Sequence, residues 1–399
     1  MSARPKLAVV LDYLPRWLVA NFQQTARLVD LVILETNPPR DTHDDGTSIG
    51  DHGISCHRIR SSKPIFVASA LDQINPDVVL ALGWSGLKHL STWHWACRHD
   101  KPIIVATDTN SFDFRRTFWK EFFKRRLLAN CTIGWAAGQH SADYLRSLGM
   151  DEQRVLIGPV DTIDSEHFAR VSSAAVRQAK ALREEKGLPE RYFLTVSRLA
   201  PEKNLFRLLD AYYSYRKYAG PNAWALVIAG DGPLRAPLAE GVRKRGITQH
   251  VVMPGWVDFA DMPKFYGLAS AFILASRKDT WGCVVNEAAA CGLPLLVSRQ
   301  AGSAMHLVRH GQNGFILDPN DTHEIAQRMN EVADAGTDRA AMGRLSLEIA
   351  KGWTPRNYAR SLADAVHAAI KLNKPRRRID KLIVNILVLL LEFRSKSTA

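Results

Sequence analysis

The sequence predicts an α/β protein with two domains, each built on a parallel sheet. A chain of 399 residues is too long for one compact core of ordinary size. Short apolar runs, typical of buried parallel strands, alternate along it with stretches of helical periodicity. Glycine-containing turns follow several of the apolar runs, as expected where strands of a parallel sheet end.

Composition restricts the class of protein. The chain is 46% hydrophobic and 23% charged, which excludes global disorder. Its five cysteines form neither a CxxC pair nor a His/Cys cluster of zinc spacing, so we expect reduced thiols and a cytoplasmic location. The sequence shows no signal-peptide pattern and no apolar run of transmembrane length. The net charge of +13 predicts a polyanionic partner or an anionic membrane surface.

The first half of the chain alternates predicted strands and helices. The predicted strands are Leu7–Leu11, Leu31–Leu34, Val78–Leu82, Ile103–Ala106 and Cys131–Gly134. The predicted helices are Leu14–Leu28, Ile65–Gln73 and a stretch at Trp93–Arg98. The polar segment Thr36–Gly53 is predicted to be a loop that either faces an acceptor or is a plain surface loop.

A basic, aromatic helix is predicted from Asp113 to Leu128. Phe114, Phe118 and Phe122 recur every four residues, and Arg116, Lys120 and Lys124 form the neighbouring stripe. Such a helix either lies in a bilayer interface or packs its aromatic side into a core with its basic side in water.

A linker is predicted at Asp161–Ala175, where the residues are polar and small. The helix Val176–Lys186 then ends at Gly187. We therefore place the first domain at residues 1–175 and start the second at 188.

The second domain opens with a strand followed by SRLAPEKN. Arg198 and Lys203 flank this loop, and Asn204 is predicted to cap the next helix. Two cations near a helix N-terminus suit a diphosphate, since arginine can fork onto phosphate oxygens. Further glycines, Gly230 in IAGDGPLR and Gly255 in VVMPGW, stand at the ends of two more strands.

The stretch AFILASRKDTWGCVVNEAAACGLPLLVS reads strand, loop, helix, strand between Ala271 and Ser298. The loop contains Asp279, and the amides that open the Cys283 helix offer partial positive charge to an anion. Glu287 interrupts an apolar helix, so it either accepts two ribose hydroxyls or is a solvated helix glutamate.

In this order, the motifs of residues 192–320 resemble those of the retaining family-4 glycosyltransferases of the GT-B fold. The resemblance implies two Rossmann-like, doubly wound parallel-sheet domains that face a central cleft, with C-terminal helices crossing back. Residues 188–352 would then bind a nucleotide-sugar and residues 1–175 would form the acceptor side. Residues 353–373 would be the crossing helix.

The resemblance also assigns roles to residues. Arg198 and Lys203 would hold the donor diphosphate, Glu287 the ribose, and Asp279 would face the sugar. The family usually has Glu at the position of Asp279, which is one methylene shorter. The remaining donor-site residues are expected to be Gly282, Cys283, Val284, Gly230 and Gly255.

The first domain departs from the family pattern. Many relatives have a Gly-Gly loop after the first strand, whereas LDYLPRWLVANF contains no glycine. Many also have a histidine after the fourth or fifth strand, where this chain reads ATDTN and Asp108 is the nearest candidate. His140 is a second candidate, or a structural histidine.

The function implied is transfer of a hexose from a nucleotide-diphosphate sugar to a lipid-linked or polysaccharide acceptor at the cytosolic membrane face. We expect a UDP-sugar in preference to a GDP-sugar, retention by front-face transfer, and no cofactor. We also expect no metal ion, because no Asp is followed two positions later by another Asp, the pair that would hold a divalent cation. The alternative is a non-catalytic nucleotide-sugar or nucleic-acid binding protein, favoured by the charge and by Asp279. No nucleic-acid motif is found, so nucleic acid is not an expected partner.

The tail at residues 374–399 is basic and amphipathic. Its apolar run Leu382–Leu391 is too short to span a bilayer, which needs about 20 residues. It either lies on an anionic membrane, which would make the protein peripheral, or packs against the folded domains.

Overall fold

The computed structural model describes residues 4–37, 53–59, 61–84, 86–111, 117–374 and 381–388. The chain divides into two compact units. Unit 1 comprises Met1–Ile163 together with Pro355–Ala399, and unit 2 comprises Asp164–Thr354. Both are α/β units with a parallel sheet, which confirms the predicted fold class.

The described part of unit 1 contains a seven-stranded parallel sheet in the order β3-β2-β1-β4-β5-β6-β7. Its strands are β1 (Lys6–Leu11), β2 (Asp30–Glu35), β3 (Ser55–Arg58), β4 (Val78–Leu82), β5 (Ile103–Thr107), β6 (Ile133–Ala136) and β7 (Val155–Ile157). Its helices are α1 (Arg16–Thr25), α2 (Pro64–Ile74), α3 (Leu87–Arg98), α4 (Phe118–Leu128), α5 (Gln139–Ser147) and, after unit 2, α15 (Pro355–Leu372). Most of the predicted loop at 36–53 lies outside the described residues.

Unit 1 is completed by α15, the predicted crossing helix, which packs against α1 and the central strands. Tyr358 meets the rings of Trp135 and Phe22 edge-on at centroid distances of 5.0 and 6.1 Å. The indole of Trp135 donates a hydrogen bond of 2.8 Å to Ser361 Oγ. Buried aromatic contacts of this kind tie the end of the chain to its beginning.

Part of the predicted amphipathic tail also packs on unit 1. Residues 381–388 are helical, and Val384 and Val388 are buried in the same core as α2, α3 and α5. The Lys381 ammonium lies 2.9 Å from Asp100. Leu382 and Ile386 on the other side of this helix are exposed. One face of this helix, that of Val384 and Val388, therefore packs against unit 1. Residues 375–380 and 389–399 of the tail lie outside the described residues.

Helix α4 presents its aromatic residues to solvent. Phe118 is 75% exposed and Trp119 69%, whereas only Leu127 and Leu128 of this helix are buried. This rules out the alternative of an aromatic core stripe for the described part of the predicted helix. Residues 113–116, including Phe114 and Arg116, lie outside the described residues.

Unit 2 contains, among its described residues, a six-stranded parallel sheet in the order β10-β9-β8-β11-β12-β13. Its strands are β8 (Tyr192–Val196), β9 (Ala225–Ala229), β10 (Val251–Gly255), β11 (Ala271–Leu274), β12 (Leu295–Ser298) and β13 (Gly314–Leu317). Its helices are α6 (Ser165–Arg177), α7 (Ala179–Lys186), α8 (Leu205–Ala219), α9 (Arg235–Lys244), α10 (Met262–Leu268), α11 (Cys283–Ala290), α12 (Ala304–Leu307), α13 (Thr322–Ala333) and α14 (Arg339–Ala350).

Helix α6 occupies the segment that was predicted to be a linker. Asp164 caps it by accepting a hydrogen bond of 3.0 Å from the His167 amide. Its buried residues Phe168, Ser172 and Ala175 recur at helical spacing and face α10 and α11. The division between the units therefore falls between residues 163 and 164, rather than after residue 175.

Candidate active site

The candidate site of unit 2 lies where the connections of its sheet change direction. Strands β8 and β11 are neighbours in the middle of the sheet, and the chain winds outward from them on both sides. In doubly wound sheets of this strand order, the crevice outside the carboxyl ends of these two strands is the usual ligand site. Residues 197–204 follow β8 and residues 275–282 follow β11, so the two loops singled out by sequence meet here.

Asn204 joins these two loops, although it does not cap α8 as predicted. Its backbone is left-handed, with φ of 58°, which asparagine tolerates better than most residues. Its side-chain amide donates hydrogen bonds to the carbonyls of Ala275 at 3.0 Å and Pro319 at 2.7 Å. The cap fails because the side chain fixes the loop after β11 instead of reaching the helix amides.

Lys203 and Asp279 form an ion pair across the crevice. Lys203 Nζ lies 2.6 Å from Asp279 Oδ2, and the two side chains are only 18% and 12% exposed. Ser276 Oγ is a further hydrogen-bond partner of the same oxygen at 3.4 Å. The sequence placed these residues on different parts of a donor, and the structure brings them into direct contact. A pair this little exposed keeps each charge in place, because separating the charges would leave one without compensation.

Arg198 differs from Lys203 in being open to solvent. Its side chain is 70% exposed and lies 3.3 Å from Glu202 Oε1. An exposed ion pair of this kind contributes little free energy. The guanidinium can therefore leave Glu202 and turn toward an anion with little loss of stability.

Two glycines of the crevice have a positive φ, and the first of them also allows a close approach of backbone. A Cβ at Gly230 would lie 1.9 Å from the Ser197 carbonyl oxygen, and its φ is +133°. Gly282, with φ of +86°, precedes the first turn of α11. The amide of Gly230 donates to the carbonyl of Gly255 at 2.8 Å, which holds the ends of β9 and β10 together. Larger residues at positions 230 and 282 would strain the backbone.

Glu287 faces inward, so the alternative of a solvated helix glutamate is wrong. The hydroxyl of Tyr266, on α10, donates a hydrogen bond of 2.7 Å to Glu287 Oε2. Burial raises the pKa of Glu287 to about 7, and the hydrogen bond from Tyr266 opposes that rise. Sequence reasoning missed Tyr266, since a tyrosine in a short apolar helix gives no local signal of its partner.

A cavity of about 280 Å³ opens beside these residues. It is lined by Phe168, Val196, Ser197, Arg198, Gly230, Trp256, Val257, Phe259, Met262, Val284 and Glu287. Of the predicted donor-site residues, Arg198, Gly230, Val284 and Glu287 line it together. Lys203, Asp279 and Gly282 lie in the adjoining loops, Gly255 ends β10 and Cys283 begins α11, and none of these five residues lines the cavity.

One wall of this cavity is aromatic and was not predicted. Trp256 directly follows the glycine that ends β10, and its ring is largely exposed. Phe259 stacks on His167 at an interplanar angle of 10°. The cavity therefore combines an apolar wall for a flat ring, a carboxyl group that can accept hydroxyls and a guanidinium for an anion.

Unit 1 has a separate pocket at the same place in its own sheet, where β1 and β4 are neighbours. Asp108, which follows β5, lines this pocket. His140 lies on α5 and is not among the lining residues. Of the two residues considered for the missing histidine, only Asp108 lines this pocket. The two lie in neighbouring segments, because Ser141, the residue after His140, donates a hydrogen bond of 2.8 Å to the Asp108 carbonyl.

Among the described residues, none of the helices combines the length and the apolar character needed to cross a bilayer.

Comparison with known proteins agrees with this geometry. Residues 177–346 match the family model of glycosyl transferases group 1. Over 189 residues the chain is 29% identical to a GDP-mannose-dependent alpha-(1-6)-phosphatidylinositol monomannoside mannosyltransferase of Mycolicibacterium smegmatis, covering 45% of this chain and 48% of that protein. Over 164 residues it is 30% identical to the alpha-monoglucosyldiacylglycerol synthase of Acholeplasma laidlawii, covering 40% of each. The chain thus spans about half the length or less of these curated relatives.

Solved structures extend the likeness to nearly the whole chain. Anabaena HepE, solved with UDP, superposes with a TM-score of 0.73 at 18% identity, covering 91% of this chain and 99% of that one. Sucrose-phosphate synthase of Thermosynechococcus elongatus gives a TM-score of 0.72 at 16% identity, covering 90% and 98%. The resemblance to GT-B glycosyltransferases drawn from the motifs is therefore confirmed, and the fold is of that type.

Proposed function

We propose that the protein is a retaining glycosyltransferase that binds a nucleotide-diphosphate hexose in unit 2. One observation carries this proposal: the crevice between β8 and β11 opens on a cavity that Arg198, Glu287, the first turn of α11 and Trp256 all line or adjoin. Few ligands other than a nucleotide-sugar need a flat ring, a diol and a diphosphate bound in one crevice.

Each part of the proposed donor would have a partner in this crevice. Trp256 and Phe259 would stack on the base, and the Glu287 carboxylate would accept the two ribose hydroxyls. Arg198, Lys203 and the amides of α11 would hold the diphosphate. We expect a UDP-sugar rather than a GDP-sugar. The structure of Anabaena HepE in complex with UDP-glucose supports that choice. The Mycolicibacterium relative is named as GDP-mannose-dependent, so the base needs a direct test.

The chemistry follows from where charge develops. Cleavage of the bond between sugar and diphosphate leaves negative charge on the leaving phosphate, and cations already in place lower the barrier. Lys203 is held ready for this role by Asp279, which itself lies beside the position expected for the sugar. We propose front-face transfer with retention and without a metal, so activity should survive EDTA.

The acceptor is proposed to be a lipid-linked or polysaccharide glycan at the cytosolic membrane face. The support is α4, whose exposed Phe118 and Trp119 are followed by exposed Arg125 and Arg126. Aromatic rings suit the headgroup boundary of a bilayer, and arginines suit anionic lipid phosphates. Two relatives are named for lipid products, a phosphatidylinositol mannoside and a diacylglycerol glucoside.

A donor screen tests the proposal. Calorimetric titration with UDP, GDP and their hexose conjugates should show binding to one nucleotide series, and Arg198→Ala should weaken it about tenfold or more. Arg243→Ala is the matched control, because its side chain is 69% exposed and also pairs with a nearby glutamate. Product analysis with a membrane glycolipid extract, reading the anomeric configuration by NMR, then tests transfer and retention. Donor binding without transfer to any extract would favour the non-catalytic alternative.

A further inference from the structure

The pocket of unit 1 is built for a different kind of ligand. It has a volume of about 360 Å³ and lies at the carboxyl ends of β4 and β5, beside α1. It is lined by Trp17, Leu18, Leu82, Gly83, Trp84, Ala106, Thr107, Asp108, Thr109, Val160, Asp161 and Tyr358. All of these residues belong to unit 1.

Two tryptophans give the pocket aromatic surface. Trp17 lies in the first turn of α1 and is 43% exposed. Trp84 follows β4, and the Lys124 ammonium lies 5.8 Å from its ring centroid. The exposed ring of Trp17 leaves apolar surface open on the pocket wall. The weakly polar C–H face of a sugar ring can cover such a surface.

Two carboxyl groups supply the polar lining. Asp161 Oδ2 is buried and has no hydrogen-bond partner among the described residues. Burial and the nearby negative charge of Asp108 raise the pKa of Asp161. A protonated Asp161 can donate one hydrogen bond and accept others, and the oxygens of Asp108 can accept hydrogen bonds from hydroxyl groups. An unsatisfied buried carboxyl costs free energy that a hydroxylated ligand would recover.

The lining also carries no positive charge. None of the described residues that line this pocket is lysine, arginine or histidine. Because an anion here would face two carboxyl groups and no cation of the lining, a phosphate or a carboxylate is disfavoured.

We infer that the unit 1 pocket binds an uncharged polyhydroxylated ring, a sugar or cyclitol, and excludes an anionic group at that position. This inference rests on the proposed function for one step, which is that the ring belongs to the acceptor. The acceptor would then present a neutral terminal ring to the pocket, whatever carries that ring.

Saturation-transfer NMR on the full-length protein without donor tests the inference. The probes are methyl α-D-glucoside and myo-inositol, each compared with glucose 6-phosphate and glucuronate, at up to about 20 mM because single rings bind weakly. We expect saturation transfer to the neutral probes and at least about fivefold weaker transfer to the anionic ones. Trp17→Ala should weaken binding of the neutral probes about fivefold or more. Tyr13→Ala, which removes a 48% exposed aromatic residue that precedes α1 and does not line the pocket, should leave binding unchanged.

The outcomes separate this inference from the proposed function. No transfer to either neutral probe, or equal transfer to anionic probes, overturns the inference, and neither result depends on a variant that must fold. An equal loss in Trp17→Ala and Tyr13→Ala also overturns it. Calorimetry with UDP on the same samples reports on unit 2. If UDP binds and the neutral probes show no saturation transfer, the inference alone is overturned. Sugar binding without any nucleotide binding sinks the proposed function alone.

Discussion

The two units have sheets of the same order but opposite chemistry at the same position. In both sheets the first and fourth strands of the unit are neighbours, and in both a pocket lies at their carboxyl ends. The crevice of unit 2 gathers the cations Arg198 and Lys203. The pocket of unit 1 gathers Asp108 and Asp161 instead. The topology thus decides where a pocket forms in each sheet, and a few loop residues decide which charged groups surround it.

The loops also differ in how tightly they are built. In unit 2, Gly230 lies so close to Ser197 that any side chain would collide with backbone. In unit 1, Gly83 has a left-handed φ of +94°, but no atom within 4 Å would obstruct a Cβ. A crevice with close backbone contacts suits a ligand held by amide groups, whereas an open pocket leaves recognition to side chains.

The largest expected effect is that of Lys203→Ala on unit 2. The change removes a proposed donor contact and leaves the little-exposed Asp279 carboxylate without its cation. We expect donor affinity, measured by calorimetry, to fall about 100-fold, and the free energy of unfolding to fall by about 1–3 kcal/mol. Lys186→Ala is the control, since Lys186 pairs with Asp261 at 3.0 Å and is similarly buried. If donor binding is unchanged in Lys203→Ala, Lys203 is not a cation that holds the donor in unit 2.

A second test compares Asp279 in unit 2 with Asp108 in unit 1. We expect the first to affect turnover of the donor and the second to affect binding of the acceptor. Asp279→Asn keeps the shape of the side chain and removes its charge, so we expect kcat to fall at least about tenfold with a smaller change in donor KM. Asp279→Glu, which restores the residue usual in the family, should keep activity. Asp108→Asn in unit 1 should alter the acceptor KM and leave donor affinity unchanged. If Asp279→Asn turns over like the unaltered enzyme, Asp279 does not face the reacting sugar.

A third test uses pH. The pKa of Glu287 is raised from 4.5 to about 7, and the proposed contact with two ribose hydroxyls needs the ionised form of its carboxyl group. Affinity for UDP-glucose should therefore rise by up to about tenfold between pH 6 and 8. The ionisable groups around Glu287 are Tyr266 on α10, Cys283 and Cys291 on α11, and Arg198 across the cavity. Because the folded chain favours the protonated carboxyl, its contribution to stability is lost as pH rises through about 7.

Two variants sharpen this pH test. Glu287→Gln should bind the donor with no such rise in affinity, since its amide does not titrate. Tyr266→Phe removes the hydrogen bond that opposes the raised pKa, so the rise in affinity should move to higher pH. A profile that stays the same in both variants would assign the pH dependence to another group.

The smallest expected effect concerns exposed aromatic residues of the two units. Replacement of Phe118 and Trp119 by alanine should reduce flotation with anionic vesicles several-fold at low salt, since each ring contributes on the order of 1 kcal/mol at an interface. Added salt should weaken the binding of the unaltered protein as well. Tyr218→Ala in unit 2 removes a 54% exposed ring and should leave flotation unchanged. Equal flotation of all three proteins would argue against a membrane role for α4.

The elements of the unit 2 site could be predicted because their signals are local. Apolar runs that end at glycines mark β9 and β10, and the helix after Gly282 begins where the sequence placed it. The contacts between these elements were not predictable in the same way. Lys203 and Asp279 meet across 76 positions of sequence, and the hydrogen bond between Tyr266 and Glu287 spans 21.

The boundary between the units and the edge of the unit 1 sheet show a different limit of sequence reasoning. Asp161 was included in a predicted linker because the residues after it are polar and small, and helix α6 buries small residues such as Ser172 and Ala175. Phe168, Ser172 and Ala175 recur at helical spacing in the sequence, but the small and polar residues around them made the segment resemble a linker. Strand β3 was missed because its sequence, SCHR, is short and polar at the edge of the sheet.

The return of α15 to unit 1 has a consequence for synthesis on the ribosome. Unit 2 is one continuous segment, Asp164–Thr354, so it can complete its core as soon as that segment has emerged. Unit 1 emerges first but lacks Tyr358, the edge-on partner of Trp135 and Phe22, until the end of the chain appears. During translation the first half of the chain therefore exposes an unfinished apolar face for longer than the second, and this face is where we expect chaperones to bind the nascent chain.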